Sequence, residues 1–205
     1  NRDPLEDMSD KLTDHKKNRN FYNVSPSLSP DGSTVAFLSD HSGYFDVYLL
    51  DAITGKKKAT LIKGSRSVDF EELKWLQPGL SWSPDGNKIV LAAKAGASDA
   101  LHIVDIKTKK SKKIPIDLDG VFSASWSPAG REIVFTGNHN GSSDIYIYNL
   151  DQEKYRQITD DIFSDSYPRW NNKGDEIVFV SDRGRYVDGK YSGRMEDHDY
   201  RQTDI

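Results

Sequence analysis

The sequence predicts an all-β chain, a β-propeller of four-stranded antiparallel blades, on three observations. One turn motif returns along the chain: Ser29-Pro30-Asp31-Gly32, Ser83-Pro84-Asp85-Gly86, Ser127-Pro128-Ala129-Gly130 and, in worn form, Asn171-Asn172-Lys173-Gly174. From position 30 to 84 is 54 residues, and from 84 to 128 and 128 to 172 is 44 each. A period near 44 with Pro/Gly turns marks propeller blades. Each turn is followed by a short β-branched or aromatic run, the composition of strands rather than helices.

The unit reads as four strands. The first ends on a bulky apolar residue just before the turn, at Leu28, Trp82, Trp126 and Trp170. In the turn, Pro supplies φ near −65° and Gly tolerates φ above zero. The second strand is Val35-Ala36-Phe37, Ile89-Val90-Leu91, Ile133-Val134-Phe135 or Ile177-Val178-Phe179. Such continuous apolar runs suit a sheet covered on both faces by neighbouring blades. The third strand is Asp46–Asp51, matched by Ala100–Asp105 and Asp144–Asn149. The fourth is Ala59–Ile62, Lys113–Ile116 or Arg156–Thr159. Pro115 belongs at an edge, and the charges around these fourth strands protect an edge from pairing, so the fourth strand is placed outermost.

Counting strands gives blades at about 21–64, 77–118 and 121–160, with an incomplete one at 165–205. Asp204-Ile205 aligns with Asp144-Ile145, the start of a third strand. Residues 1–20 read as the end of a preceding blade and a connection, because Lys11-Leu12-Thr13-Asp14 resembles Gln157-Ile158-Thr159-Asp160. Three complete blades and partial ones do not close a ring of four to eight. The expectation is a fragment of a larger propeller, six-bladed or similar.

Two insertions break the 44-residue rhythm. Ten extra residues precede the first strand of the second blade, within 65–78; sixteen more lie between the second and third strands of the last blade, within 183–203. Since successive strands alternate in direction, both insertions fall on the face opposite the Pro-Asp-Gly turns. Long loops gathered on one face of a rigid scaffold are where binding resides. Phe70, Trp75, Arg183, Arg185 and Tyr186 are the candidate anchors, with Asp69, Glu71 and Glu72 as acidic contacts. The competing reading is that both insertions are packing decoration without a ligand.

Composition excludes other classes. Lys and Arg number 28 against 32 Asp and Glu, a net charge of −4 without the basic field that nucleic acid demands. The one basic run, Lys107, Lys109, Lys110, Lys112 and Lys113, reads as a solvated connection beside an outer strand rather than an anion site. No apolar run approaches the length of a membrane helix, so no direct membrane insertion is expected. There are no cysteines. The five histidines are scattered, and Gly189-Lys190-Tyr191-Ser192-Gly193 places its Ser one position too late for a nucleophile elbow. Asp40, Asp46, Asp51, Asp105 and Asp144 lack calcium-loop spacing and read as turn-bonding residues. His102 stands where Tyr48 and Tyr146 stand in other blades and reads as a half-buried strand residue. Neither catalytic residues nor a metal or cofactor are expected.

The unit Trp-Ser-Pro-Asp-Gly, β-branched strand, Asp-Ile-Tyr, Leu-Thr-Asp resembles the propeller repeats of the TolB family from Phe21 to Asp182. It is distinct from eukaryotic WD repeats, as no Gly-His…Trp-Asp pair occurs. Ala100, Ala129 and Asn171-Asn172 depart from its consensus. Phe21–Pro26 and Asp69–Leu73 are similar to bacterial envelope proteins that join a metallopeptidase-like domain, a TolB-like propeller and an outer-membrane barrel. The resemblance implies a non-catalytic protein–protein interaction scaffold, periplasmic or envelope-associated in a Gram-negative-type bacterium, with protein partners there. The alternative it implies is a gating propeller of a larger peptidase, prolyl-oligopeptidase-like, tricorn-like or metallopeptidase-linked.

Overall fold

The computed structural model describes residues 12–13, 22–64, 70–74, 79–183, 186–187 and 190–191, and their regular structure is all strand. The first blade is β1 (Asn23–Leu28), β2 (Thr34–Ser39), β3 (Asp46–Asp51) and β4 (Lys57–Ile62), antiparallel and in that spatial order. In the second blade, β5 (Glu72–Leu73) and β6 (Ser81–Trp82) both pair with β7 (Lys88–Ala95), followed by β8 (Ser98–Asp105) and β9 (Ser111–Pro115). The third is β10 (Gly120–Trp126), β11 (Glu132–His139), β12 (Ser142–Asn149) and β13 (Lys154–Gln157). Then come the paired β14 (Asp165–Trp170) and β15 (Ile177–Ser181), and a hairpin of β16 (Tyr186–Val187) and β17 (Lys190–Tyr191). Pro115 ends β9, which among the described residues pairs with β8 alone, as expected of an edge strand.

The turns close as the motif requires. Gly86 N–H donates to Ser83 O and Gly130 N–H to Ser127 O, both at 2.9 Å, with φ of 69° and 75°. The same turns lie against the preceding blade: a Cβ on Gly130 would lie 3.7 Å from the Pro84 ring and one on Gly174 3.4 Å from Pro128. These are ordinary contact distances, so it is the positive φ rather than space that calls for glycine there. The repeated Pro-x-Gly is therefore also an inter-blade contact.

Alternation along β7 explains its unbroken apolar run. Ile89, Leu91 and Ala93 pack with Ala36, Leu38, Val47 and Trp82 toward the first blade. Val90 and Ala92 pack with Trp126, Ile133 and Phe135 toward the third. By contrast, β15 is covered on one face, where Ile177 and Phe179 meet Val134, Ile145 and Ile147, while Val178 is exposed.

The inner strands carry a feature with no glycine to announce it. Two residues oppose one at 25–26, 123–124 and 167–168, where the register shifts. The first of each pair, Ser25, Ser123 and Tyr167, has φ of 55°, 52° and 54°. This is a β-bulge with a left-handed residue, placed identically in three blades.

The second blade departs from it at this spot. Leu73 and Ser81, eight apart, pair with Ala93 and Val90; their counterparts Val121 and Ser125, four apart, pair with Gly137 and Val134. The ten extra residues between the first two turns are thus distributed. Part replaces the inner-strand bulge with the seven residues 74–80, part lengthens the crossing after Ile62, and two appear as register shifts in β4. The expectation of one insertion lying wholly ahead of the first strand is corrected.

Candidate functional site

The chain enters the insertion under tight constraint. Asp46 is buried, and its carboxylate accepts from Gly64 N–H at 3.0 Å, Ser42 Oγ at 2.8 Å and Tyr48 Oη at 3.1 Å. A Cβ on Gly64 would overlap the carbonyl oxygen of Phe45. Asp46 thus clamps the crossing as well as bonding Ser42 of its own β2–β3 turn, whereas Asp51 and Asp105 bond their own turns at Thr54 and Thr108.

Phe70 is a core residue rather than an exposed anchor. It is 9% exposed, belongs to the cluster holding Leu73, Leu80 and Leu91, and its ring centroid lies 4.7 Å from that of His102. His102 is fully buried, with Nδ1 3.1 Å from Ser111 Oγ, so the half-buried expectation is also corrected. Glu71 N–H donates to Lys94 O at 3.0 Å, and the side chains of Glu71 and Glu72 are exposed. Asp69 and Trp75 lie outside the described residues.

A buried ion pair, not anticipated from sequence, fixes the end of this segment. Lys74 Nζ lies 3.0 Å from Asp99 Oδ1, with side-chain exposures of 15% and 7%. Asp99 Oδ2 accepts Val121 N–H at 3.1 Å, and the Lys74 ammonium stands 5.2 Å from the Phe122 ring centre. Gly79 fits against the third blade's bulge, where a Cβ would overlap backbone atoms of Ser123 and Ala124. The one signal for this arrangement is that Asp99 precedes Ala100, so the repeated Asp of positions 46 and 144 is displaced by one residue.

At the second insertion, Arg183 is a brace. Its guanidinium pairs with Asp165 at 2.5 Å and Asp161 at 3.0 Å, and Nε donates to Ser181 Oγ at 2.8 Å. Its Cζ lies 5.5 Å from the Phe179 ring centre and 6.0 Å from that of Phe163. Asp165 is fully buried. Nearby, burial, aided by repulsion from Asp165, Asp160 and Asp161, raises the Asp144 carboxyl above its ordinary range; a hydrogen bond from Thr159 opposes the shift. Tyr186 pairs with Tyr191 across the β16–β17 hairpin; Arg185 and 192–205 lie outside the described residues.

Register relates the two insertions. Ala93 in β7 and Ser181 in β15 hold equivalent pairing positions, opposite Leu73 and Asp165. Glu71, Glu72 and Arg183 therefore occupy the same rim of the disc, two blades apart. Among the described residues, no three His, Asp or Glu side chains gather as a metal site.

The model of the TolB beta propeller domain matches residues 72–189. The Tol-Pal system protein TolB of Francisella tularensis subsp. mediasiatica strain FSC147 is 35% identical over 97 residues, covering 46% of this chain. The chain spans only 20% of that protein's length. The crystal structure of TolB from Acinetobacter baumannii superposes with a TM-score of 0.66 at 23% identity, over 82% of this chain and 39% of that one. A prolyl endopeptidase shares the fold, at a TM-score of 0.57 and 11% identity over 79% of this chain and 25% of that one. A domain match over more than half the chain, carried by the blades just described, settles the family: the chain belongs to the TolB β-propeller domain family.

Proposed function

We propose that the chain is a non-catalytic protein–protein interaction scaffold of the bacterial cell envelope, binding through the loop face formed by 65–78 and 183–203. The observation that carries the reading is the interruption of the second blade's inner strand. A repeating scaffold gives up its bulge there for a seven-residue segment, held at both ends by buried contacts, beside exposed Glu71 and Glu72. Rigid anchoring beneath exposed charge lowers the ordering cost of binding. Membership of the TolB propeller family supports the same reading, as does similarity to a protein of the Tol-Pal system. The partner is a protein of the envelope, with no nucleic acid involved.

Of the residues expected from sequence, the acidic contacts Glu71 and Glu72 have solvent-exposed side chains, while the anchors Phe70 and Arg183 act by shaping the loops. Charge reversal at Glu71 and Glu72 tests this. Capture of an envelope protein by the full chain should fall at least tenfold while the melting temperature stays within about 2 °C. Undiminished capture by a folded double variant would contradict the assignment.

The alternative, a gating propeller of a larger peptidase, predicts a hydrolase domain in the same polypeptide. Reading the flanking gene sequence separates the two.

A further inference from the structure

The lysine run after β8 is divided by the fold. Lys109 reaches across to the Thr60 carbonyl at 3.0 Å, while Lys110 and Lys112 line a cleft between the second and third blades. Lys88, at the start of β7, joins them there. The cleft has a volume of about 410 Å³, within the range of small-molecule sites, and Trp126 and Leu150 provide its apolar wall.

The repeat supplies an internal comparison. The cleft between the first and second blades has the same place and is lined by Trp82 and Ile106 in the equivalent positions. Its charges are opposite: two carboxylates, Asp31 and Asp85, against one lysine, Lys58. Lys58 is already engaged, donating to Ser33 O and Thr34 Oγ1 at 2.8 Å each. In the second cleft, Thr34 is replaced by Lys88, and the turn Asp is replaced by Ala129. Three lysines then line the cleft with one carboxylate, Asp105, which is committed to Thr108 N–H and Oγ1 at 2.7 and 2.8 Å, while Asp85, the equivalent of Asp31, remains beside Lys88 and feels its charge. Lys112 meets Glu153 at 2.8 Å, but both side chains are more than half exposed and the pair is weak in water. Lys88 and Lys110 close no ion pair among the described residues.

We infer that this inter-blade cleft binds a small organic phosphate, its phosphate facing Lys88, Lys110 and Lys112 and its organic part against Trp126 and Leu150. The ammonium groups satisfy a dianion as point charges without the planar geometry arginine would impose. The apolar wall distinguishes an organic phosphate from the free ion.

The test is calorimetric titration of the full chain at low salt with glucose 6-phosphate and phenyl phosphate, beside inorganic phosphate and anionic phospholipid vesicles. The expected result is saturable binding of at least one organic phosphate, at least tenfold tighter than inorganic phosphate. Lys88→Thr, which installs the residue of the equivalent cleft, should weaken it at least tenfold, and Ala129→Asp severalfold. Lys173→Thr, a charge change on another blade, should leave it unchanged. No saturable binding of either organic phosphate, equal binding of inorganic phosphate, binding to vesicles alone, or an equal loss in the Lys173 variant would each overturn the inference.

Discussion

The rings of Phe70 and His102 pack with centroids 4.7 Å apart, and the contact replaces one that other blades make within themselves. In the first blade, Phe37 on β2 opposes Tyr48 on β3, with centroids 5.9 Å apart; in the third, Phe135 opposes Tyr146 at 5.6 Å. The second blade has the smaller pair Leu91 and His102 at these positions. Phe70 supplies the missing aromatic volume from the insertion. Phe70→Ala is therefore expected to cost about 3 kcal/mol in urea denaturation, as deletion of a buried aromatic does. Adding Leu91→Phe and His102→Tyr should recover part of that loss, and absence of any recovery would refute the compensation.

The Lys74–Asp99 pair joins the interrupted inner strand to the second and third blades. Lys74→Met strands a buried carboxylate and is expected to destabilise by about 3 kcal/mol. The double variant Lys74→Met/Asp99→Asn removes the charge, keeps an acceptor for Val121 N–H, and should be clearly more stable than the single variant. Equilibrium denaturation of the four combinations gives the coupling directly.

Trp82 Nε1 donates to Ser27 O at 3.0 Å across the first inter-blade contact, whereas the buried Trp126 Nε1 has no acceptor in hydrogen-bond reach among the described residues. Trp82→Phe should then cost about 1 kcal/mol more than Trp126→Phe, the net worth of one such hydrogen bond. Equal losses in the two variants would remove that difference between the contacts.

Acid stability should carry two opposed contributions. Hydrogen bonds from Ser29 and Ser33 hold Asp31 down at about 2; those from Thr54 and Ile53 do the same for Asp51, and those from Ser83 and Asn87 for Asp85. With folded values below the ordinary 3.8, these groups stabilise fully above about pH 4, and that stabilisation is lost as pH falls toward 2. Asp144 has the reverse sign. Its raised value means the folded state favours the protonated form, so its contribution worsens as pH rises through the carboxylate range. Asp144→Asn should raise the melting temperature at pH 7 and leave it unchanged near pH 3; a loss at pH 7 would contradict the assignment.

Much of this architecture is legible in the sequence because the repeat reports it several times. The Ser-Pro-Asp-Gly spacing locates the hairpins, and the apolar run Ile89-Val90-Leu91 reads correctly as covered on both faces. The inner-strand bulges are not legible, since Ser25, Ser123 and Tyr167 adopt positive φ without glycine to signal it. Length alone could not say where the ten extra residues go, because register, not count, divides them between β4, the crossing and the inner strand. Phe70 looked like an exposed anchor among acidic neighbours. Its burial follows from the small Leu91–His102 pair on adjacent strands, a vacancy visible only once the blades are aligned. Arg183 likewise looked available, but Asp161 and Asp165 on the preceding crossing and strand hold it.

Binding is proposed for the loop face. The most direct measurement replaces 184–203 by a short Gly-Ser connection that leaves the Arg183 brace intact, then compares capture of envelope proteins with that of the full chain. Loss of capture with a nearly unchanged melting temperature is expected. Undiminished capture by the folded variant would contradict it.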